Sequence, residues 1–297
     1  MSNKLRKMTL EKKHNLTGWA FLAPATFLIA VFSFWPMIKA LVLSFQTGKG
    51  RNMQMAGFTN YIRMFQDDVF IQSIKNTFFY FFIQVPIMLV VALVLACILN
   101  KKDLRFKGFF RTMIFVPCTT SLVAYSIIFR SLFANNGLVN YVLVNIGILD
   151  KPYNFLTQPF AAKMVILLGL LWRWTGYNMV FFLSGLQNIE YSVYEAAKID
   201  GASAIQTFFK ITVPLLKPTI LLTAIMSTNG TLQLFDESIN LTDGGPANAS
   251  ISMSHYIYNL CFKYVPNFGY AAAMSFFILL LVAVLAFIQM RVGDKRD

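Results

Sequence analysis

The sequence predicts an all-α membrane protein, a bundle of six membrane-crossing helices. Three observations predict it. The chain of 297 residues is 57% hydrophobic and only 13% charged, with 30 phenylalanines, far more apolar surface than a soluble core needs. Its apolar residues gather in six runs, over residues 19–45, 77–99, 113–133, 164–186, 211–233 and 270–290, each long enough for a helix to cross ~30 Å of hydrocarbon. None of these runs alternates apolar and polar residues as a membrane β-strand does.

The first run follows a basic tail over residues 1–18 and is too long for the apolar region of a cleavable signal peptide. Trp19 and Trp35 read as interfacial anchors within it. Pro24, Pro36, Pro86 and Pro117 lie inside the first three runs, which fits helices whose freed carbonyls are satisfied by their neighbours. The fourth run contains "LLWRWTGYNM", the fifth ends on Asn229, Thr231 and Gln233 with Asp236 just beyond, and the sixth is almost purely apolar.

Orientation follows from lysine and arginine, which are retained on the cytoplasmic side. Five precede residue 19, five lie between Lys101 and Arg111, three follow the fourth run (Lys198, Lys210, Lys217) and three close the chain (Arg291, Lys295, Arg296). These sixteen share one side; the opposite connections hold eight. Both termini are therefore expected in the cytoplasm. The expected organisation is a basic cytoplasmic tail over 1–18, a transmembrane domain over 19–290 carrying a cytoplasmic loop over 190–218, and a second tail over 291–297. The net charge of +13 is explained by this asymmetry and by attraction to anionic lipid headgroups. No aromatic-interleaved basic groove points to nucleic acid.

Catalytic chemistry has little to work with. Two histidines, His14 and His255, are too few and too far apart for a triad or a metal cluster. Cys97, Cys118 and Cys261 are widely spaced and read as small buried hydrophobes. There is no glycine loop ending in Lys-Ser/Thr to cradle a phosphate, and no obvious duplicated half of the kind many secondary transporters carry. No catalytic residue, metal site or resident cofactor is expected in this chain.

The informative stretch is "YEAAKIDGASAIQTFFKITVPLLKP", residues 194–218. Ser192 with Glu195, and Ser203 with Gln206, have capping-box spacing, so two helix starts lie eleven residues apart. Gly201 falls where the first helix needs a left-handed terminal residue. The reading is a short helix over 193–200, a glycine turn, a second helix through Phe208 and Phe209, and an entry to the fifth span bent by Pro214 and Pro218. A helix that short is marginal in water, so it must dock. Its small residues and its charges suit a partner protein; an interfacial connector resting on lipid is the alternative.

This segment resembles the EAA loop of ABC-importer permeases, whose pattern is Glu-Ala-Ala, three residues, Gly, nine residues, then Ile-x-Leu-Pro. Here it reads Glu195-Ala196-Ala197, Gly201, Ile211 and Pro214, with Val213 in the usual leucine position. Asp200, Ala202, Phe208 and Pro218 match the fuller form of the carbohydrate-uptake, maltose-type branch, as do the lead-in "GLQNIEYSVYEAAKIDGA" and "LFDESINLTDGGPANAS" after the fifth span. The resemblance implies a six-helix bundle of the type I importer permease kind in a bacterial cytoplasmic membrane. It implies four partners or groups of partners: a second homologous permease, a pair of cytoplasmic ATPase subunits that bind ATP and Mg, an extracytoplasmic sugar-binding protein, and membrane lipid. ATPase coupling would fall to Glu195, Ala196, Ala197, Asp200, Gly201, Ala202 and Phe208.

For the substrate pathway the candidates are Trp172, Arg173, Trp174, Tyr177 and Asn178 in the fourth span and Asn229, Gln233 and Asp236 at the end of the fifth. Aromatic faces pack on sugar rings, and amide and guanidinium donors satisfy hydroxyls. The competing reading makes the tryptophans belt residues and lets Arg173 snorkel or pair with Asp236. Arg173 also leaves glycerol-phosphate or acidic sugars open as substrates. An ion-driven secondary transporter and a membrane scaffold or enzyme remain the other function classes.

Overall fold

The computed structural model describes residues 10–49, 52–101 and 103–293. The outer parts of the expected tails over 1–18 and 291–297, with Arg51 and Lys102 of the charge count, lie outside the described residues.

The first span, His14–Ser44, is built from α1 (Leu10–Ile29), a π-helical segment (Ala30–Phe34) and α2 (Trp35–Ser44). The wide turn precedes Pro36, which has no N–H to give the carbonyl four residues back. A two-stranded antiparallel hairpin, β1 (Gln46–Lys49) and β2 (Asn52–Met55), and a short helix α3 (Thr59–Met64) follow. The hairpin is a small β element that the all-helical expectation left out. The second span is α4 (Asp68–Leu99), opened by Asp67, whose carboxylate accepts from the N–H groups of Val69 and Phe70 at 3.0 and 3.2 Å.

The third run is broken. α5 (Lys107–Thr119) and α6 (Leu122–Leu132) meet at 98°, and the sequence explains the break. Pro117 cannot donate within the helix, and the hydroxyls of Thr119 and Thr120 bond back to the carbonyls of Val116 and Pro117 at 2.9 and 2.7 Å, closing the helix end. After α7 (Leu138–Asn145) comes the fourth span, α8 (Pro159–Gln187), then α9 (Tyr191–Ile199). The fifth run is also broken: α10 (Ala204–Thr207), a π-helical segment (Phe208–Thr212) and α11 (Val213–Leu215) lead into α12 (Lys217–Leu232) through a 69° bend. Pro214 and Pro218 stand on either side of that bend, with Pro218 at the second position of α12, where a missing N–H costs nothing. Two short helices, α13 (Asp236–Thr242) and α14 (Met253–Tyr258), and a π-helical turn (Asn259–Lys263) precede the last span, α15 (Phe268–Gly293). Among the described residues, four helices are thus long and apolar enough to cross a membrane, or up to six spans if each bent pair counts as one.

The bundle is organised on α4 and α8. Ala92 and Ala96 of α4 admit Met179, Phe182 and Leu183 of α8 in one buried cluster. Gly176 marks the place where α5 lies against α8, since a Cβ there would collide with the carbonyl of Ile114. At the far end α4 is tied to the segment around α13 and α14: the Asn76 amide donates to the carbonyls of Asn248 and Ile251 at 3.0 and 2.9 Å. Asp67 completes the tie, accepting from the hydroxyls of Tyr256 and Tyr270 at 2.7 Å each. Burial disfavours its charge, but these two hydroxyls and two backbone N–H groups outweigh it, so the Asp67 carboxyl is held below its usual range.

Candidate functional site

A cavity of about 290 Å³ opens between α4, α8, α12 and the start of α13. Its α8 wall is Trp174, Tyr177 and Asn178, which share a face because they sit at i, i+3 and i+4. The Trp174 and Tyr177 rings stand edge to face, 5.7 Å apart. Gln84 and Met88 face them from α4, Ser227 and Thr231 from α12, and Gln233, Asp236 and Glu237 close one end.

The polar walls are cross-linked. Asn178 donates to the carbonyl of Trp174 at 3.0 Å, and Ser227 donates to the Asn178 side-chain oxygen at 3.3 Å, joining α12 to α8. Thr231 donates to Gln84 at 2.7 Å, joining α12 to α4. Such bonds fix helices that lipid alone would not hold in register, and they set out amide and hydroxyl groups around the cavity.

The expected pathway residues divide. Trp174, Tyr177, Asn178, Gln233 and Asp236 line the cavity. Trp172 does not: it is 45% exposed, and its ring stacks on Tyr125 at 6.0 Å and leans on Phe129 at 5.5 Å. Asn229 accepts a hydrogen bond from Gln233 and lies in an adjoining open groove with Ser254 and Ser275; Gln233 borders both. Arg173 is 6% exposed, held between the rings of Tyr125 and Trp174 at 5.6 and 5.5 Å.

Arg173 and Asp236 do not pair, since no ion pair joins them among the described residues. Arg173 adjoins Trp174 and is turned about 100° around the helix from it, toward α6. The carboxylate that senses Arg173 is Glu237. Glu237 lies in α13, beyond the end of the fifth span. Burial and the neighbouring Asp236 carboxylate push its carboxyl up, while its own backbone N–H, the Arg173 guanidinium and the Trp174 indole pull the other way.

Gln84, Ser227 and Glu237 were not anticipated from the sequence. Gln84 carried a readable signal, an amide inside the apolar run before Pro86 that lipid would reject. His255 is fully buried in α14. Its Nδ1 lies 3.0 Å from the Ser238 hydroxyl, and its Nε2, without a hydrogen bond, stands 3.7 Å from Asp243. Burial holds its pKa down. Asp243 in turn accepts from Lys263 at 2.9 and 3.0 Å.

The second candidate region is the hairpin of α9 and α10. Gly201 has φ +75°, and the N–H groups of Ala202 and Gly201 bond to the carbonyls of Ala197 and Lys198 at 2.9 and 3.2 Å. That pair of bonds is a Schellman closure. The Ser203–Gln206 capping box is present in both directions. The Ser192–Glu195 box is not: α9 begins two residues earlier than expected, after Glu190, and Ser192 donates to the Glu190 carboxylate at 3.3 Å instead. Glu195, Ala196, Asp200 and Gly201 are exposed, Ala202 is half-buried, and Ala197 is buried. Phe208 packs inward against the cluster around Leu99, Leu186 and Leu216, so it anchors the hairpin to the bundle. Apolar side chains nevertheless face out: Ile199 is 86% exposed, Ile205 72% and Phe209 66%.

A cavity whose polar side chains are cross-linked thus lies within a helical bundle of four to six candidate spans. Residues 68–296 match the family described as binding-protein-dependent transport system inner membrane component. The chain belongs to that family. As a permease of this kind it is 51% identical to the lactose transport system permease protein LacF of Rhizobium radiobacter, over 98% of each chain. It is 31% identical to the arabinooligosaccharides transport system permease protein AraP of Bacillus subtilis, over 93% of this chain and 88% of that one. Its fold is shared by a chain of a bacterial alginate ABC transporter, solved in complex with an alginate pentasaccharide-bound periplasmic protein, with a TM-score of 0.84 and 25% identity over 96% of each chain.

Proposed function

We propose that this permease moves a sugar or short oligosaccharide across the bacterial cytoplasmic membrane through the cavity between α4, α8 and α12, and that it draws its energy from a separate ATPase gripping the α9–α10 hairpin. The observation that carries the coupling half is the hairpin itself. A nine-residue helix too short to persist alone is closed at its end, anchored through Phe208, and leaves Ile199, Ile205 and Phe209 uncovered by the rest of the chain. Burying such side chains is worth about 1.5–3 kcal/mol each, a gain that a docked ATPase subunit would supply. The named sugar substrates of LacF and AraP support the sugar half.

In this reading both termini and the hairpin are cytoplasmic, residues 19–290 are the transmembrane unit, and residues 190–218 are its coupling loop. The assembly contains a second homologous permease, two ATPase subunits that hold ATP and Mg, and an extracytoplasmic sugar-binding protein. Glu195, Ala196, Asp200 and Gly201 form the outer rim of the contact, while Ala197, Ala202 and Phe208 hold the hairpin's shape. ATP and delivered sugar must each favour one conformation of the bundle over the other, because a ligand indifferent to both shifts nothing. Trp174, Tyr177, Asn178, Gln233 and Asp236 contact the sugar, with Asn229 positioning Gln233.

Reconstitution of the purified assembly in vesicles, with sugar inside counted against ATP hydrolysed, tests the reading. Uptake that requires ATP and survives an uncoupler is expected. Uptake abolished by the uncoupler at constant ATP would replace it with an ion-driven transporter.

A further inference from the structure

The charges around the cavity are unequal. Among the described residues its lining holds two carboxylates, Asp236 and Glu237, and no cation. Arg173, the cation adjoining Trp174 in the sequence, does not reach the cavity; it lies clasped between two rings with Nε and Nη1 lacking hydrogen bonds. Of the two carboxylates Glu237 is 4% exposed and Asp236 half-buried, so Asp236 is the one a ligand meets. Neither carboxylate has an ion-pair partner among the described residues, whose ion contacts all belong to Asp243. The wall therefore offers carboxylates and no cation. The other polar groups there are uncharged: the amides of Gln84, Asn178 and Gln233 and the hydroxyls of Tyr177, Ser227 and Thr231.

We infer that the cavity, taken as the sugar site proposed above, admits uncharged saccharides and turns away anionic ones such as uronates, with Asp236 as the residue that sets this preference. A second carboxylate a few ångströms from Asp236 is repelled. Sugar hydroxyls, in contrast, donate well to a carboxylate and to amide oxygens. The fold does not decide the matter, since a transporter that imports the acidic polysaccharide alginate contains a chain of the same fold. The lining decides it. The carboxylate of a uronate would need a guanidinium or ammonium group at the wall, and among the described residues the lining holds none, Arg173 being held between Tyr125 and Trp174.

Saturation-transfer NMR on the purified membrane assembly without its binding protein tests this, with galactose and galacturonate as probes. Omitting the binding protein matters because it would otherwise impose its own selection. The parent assembly is expected to transfer saturation to galactose at least about ten-fold better than to galacturonate, a ratio equal to about 1.4 kcal/mol. Asp236→Asn, close in shape, should raise the galacturonate-to-galactose ratio about ten-fold. A parent that takes both sugars equally overturns the inference without any variant, and an unchanged ratio in Asp236→Asn removes Asp236 from it. Galactose transfer that survives Trp174→Ala refutes the sugar site itself, a failure separate from the charge rule.

Discussion

Replacing Gly201 isolates the coupling contact from the stability of the hairpin. Gly201 has φ +75° and open space where a Cβ would stand, so a side chain there meets strain but no clash. The left-handed conformation costs most residues about 1–2 kcal/mol, and asparagine and aspartate pay less because their short polar chains tolerate it. Gly201→Asn and Gly201→Asp therefore share nearly the same backbone cost, about 1 kcal/mol or below. That changes the formed fraction of the hairpin by no more than about five-fold. They differ in one charge, placed beside Asp200 on the rim. If the rim is buried against an ATPase, an unpaired carboxylate there costs several kcal/mol more than the amide. The assay is paired: the yield of ATPase subunits co-purifying with the permease, and ATP-driven uptake in vesicles. Gly201→Asn should keep both within about five-fold of the parent, and Gly201→Asp should lose the ATPase or stop uptake while the permease stays in the membrane. Equal, parental behaviour of the two variants would refute the reasoning, for then the turn touches no partner.

Four further outcomes follow from the geometry. Gly176→Leu drives a side chain into the Ile114 carbonyl and should cost about 1–3 kcal/mol or more, read as a lower unfolding temperature of the detergent-purified chain. Trp174→Ala and Gln233→Ala should each cut uptake about ten-fold or more while leaving the co-purified ATPase unchanged, since bidentate and stacking contacts are worth about 1–3 kcal/mol; parental uptake in both would empty the cavity of its role. Asp67, whose folded pKa lies below the ordinary 3.8, contributes stability that is present above that ordinary value and is lost as pH falls through the folded one. The parent's unfolding temperature should accordingly drop as pH is lowered past about 4, and Asp67→Asn should start lower at neutral pH and lose part of that drop.

Much of the fold was legible because lipid is an exacting solvent. Runs of about 20 apolar residues have few alternatives to a membrane helix, so α4, α8 and α15 lie where hydropathy put them. What hydropathy could not show was where a run bends. The break at Thr120 depends on two hydroxyls returning to the carbonyls of Val116 and Pro117, a local competition that mean hydropathy averages away. The hairpin was readable through Gly201 and Ser203 because turn chemistry is local. The start of α9 was misread because Ser192 found the Glu190 carboxylate in place of a backbone N–H. In the site, Trp174, Tyr177 and Asn178 followed from helical spacing, whereas Trp172 and Arg173 share the same sequence cluster but point elsewhere around α8. Gln84 and Thr231 meet only after α4 and α12 have packed, and 147 residues separate them in the chain; no single-segment pattern carries that contact.

The central claim is that a motor subunit holds α9 while the importer works. A single cysteine at the exposed Ala196, in a chain whose Cys97, Cys118 and Cys261 are serines, reports this directly through a water-soluble maleimide. The account predicts rapid labelling of the isolated permease and strong protection in the complete assembly as it hydrolyses ATP. Equally rapid labelling in the two preparations, with sugar still being taken up, would contradict it.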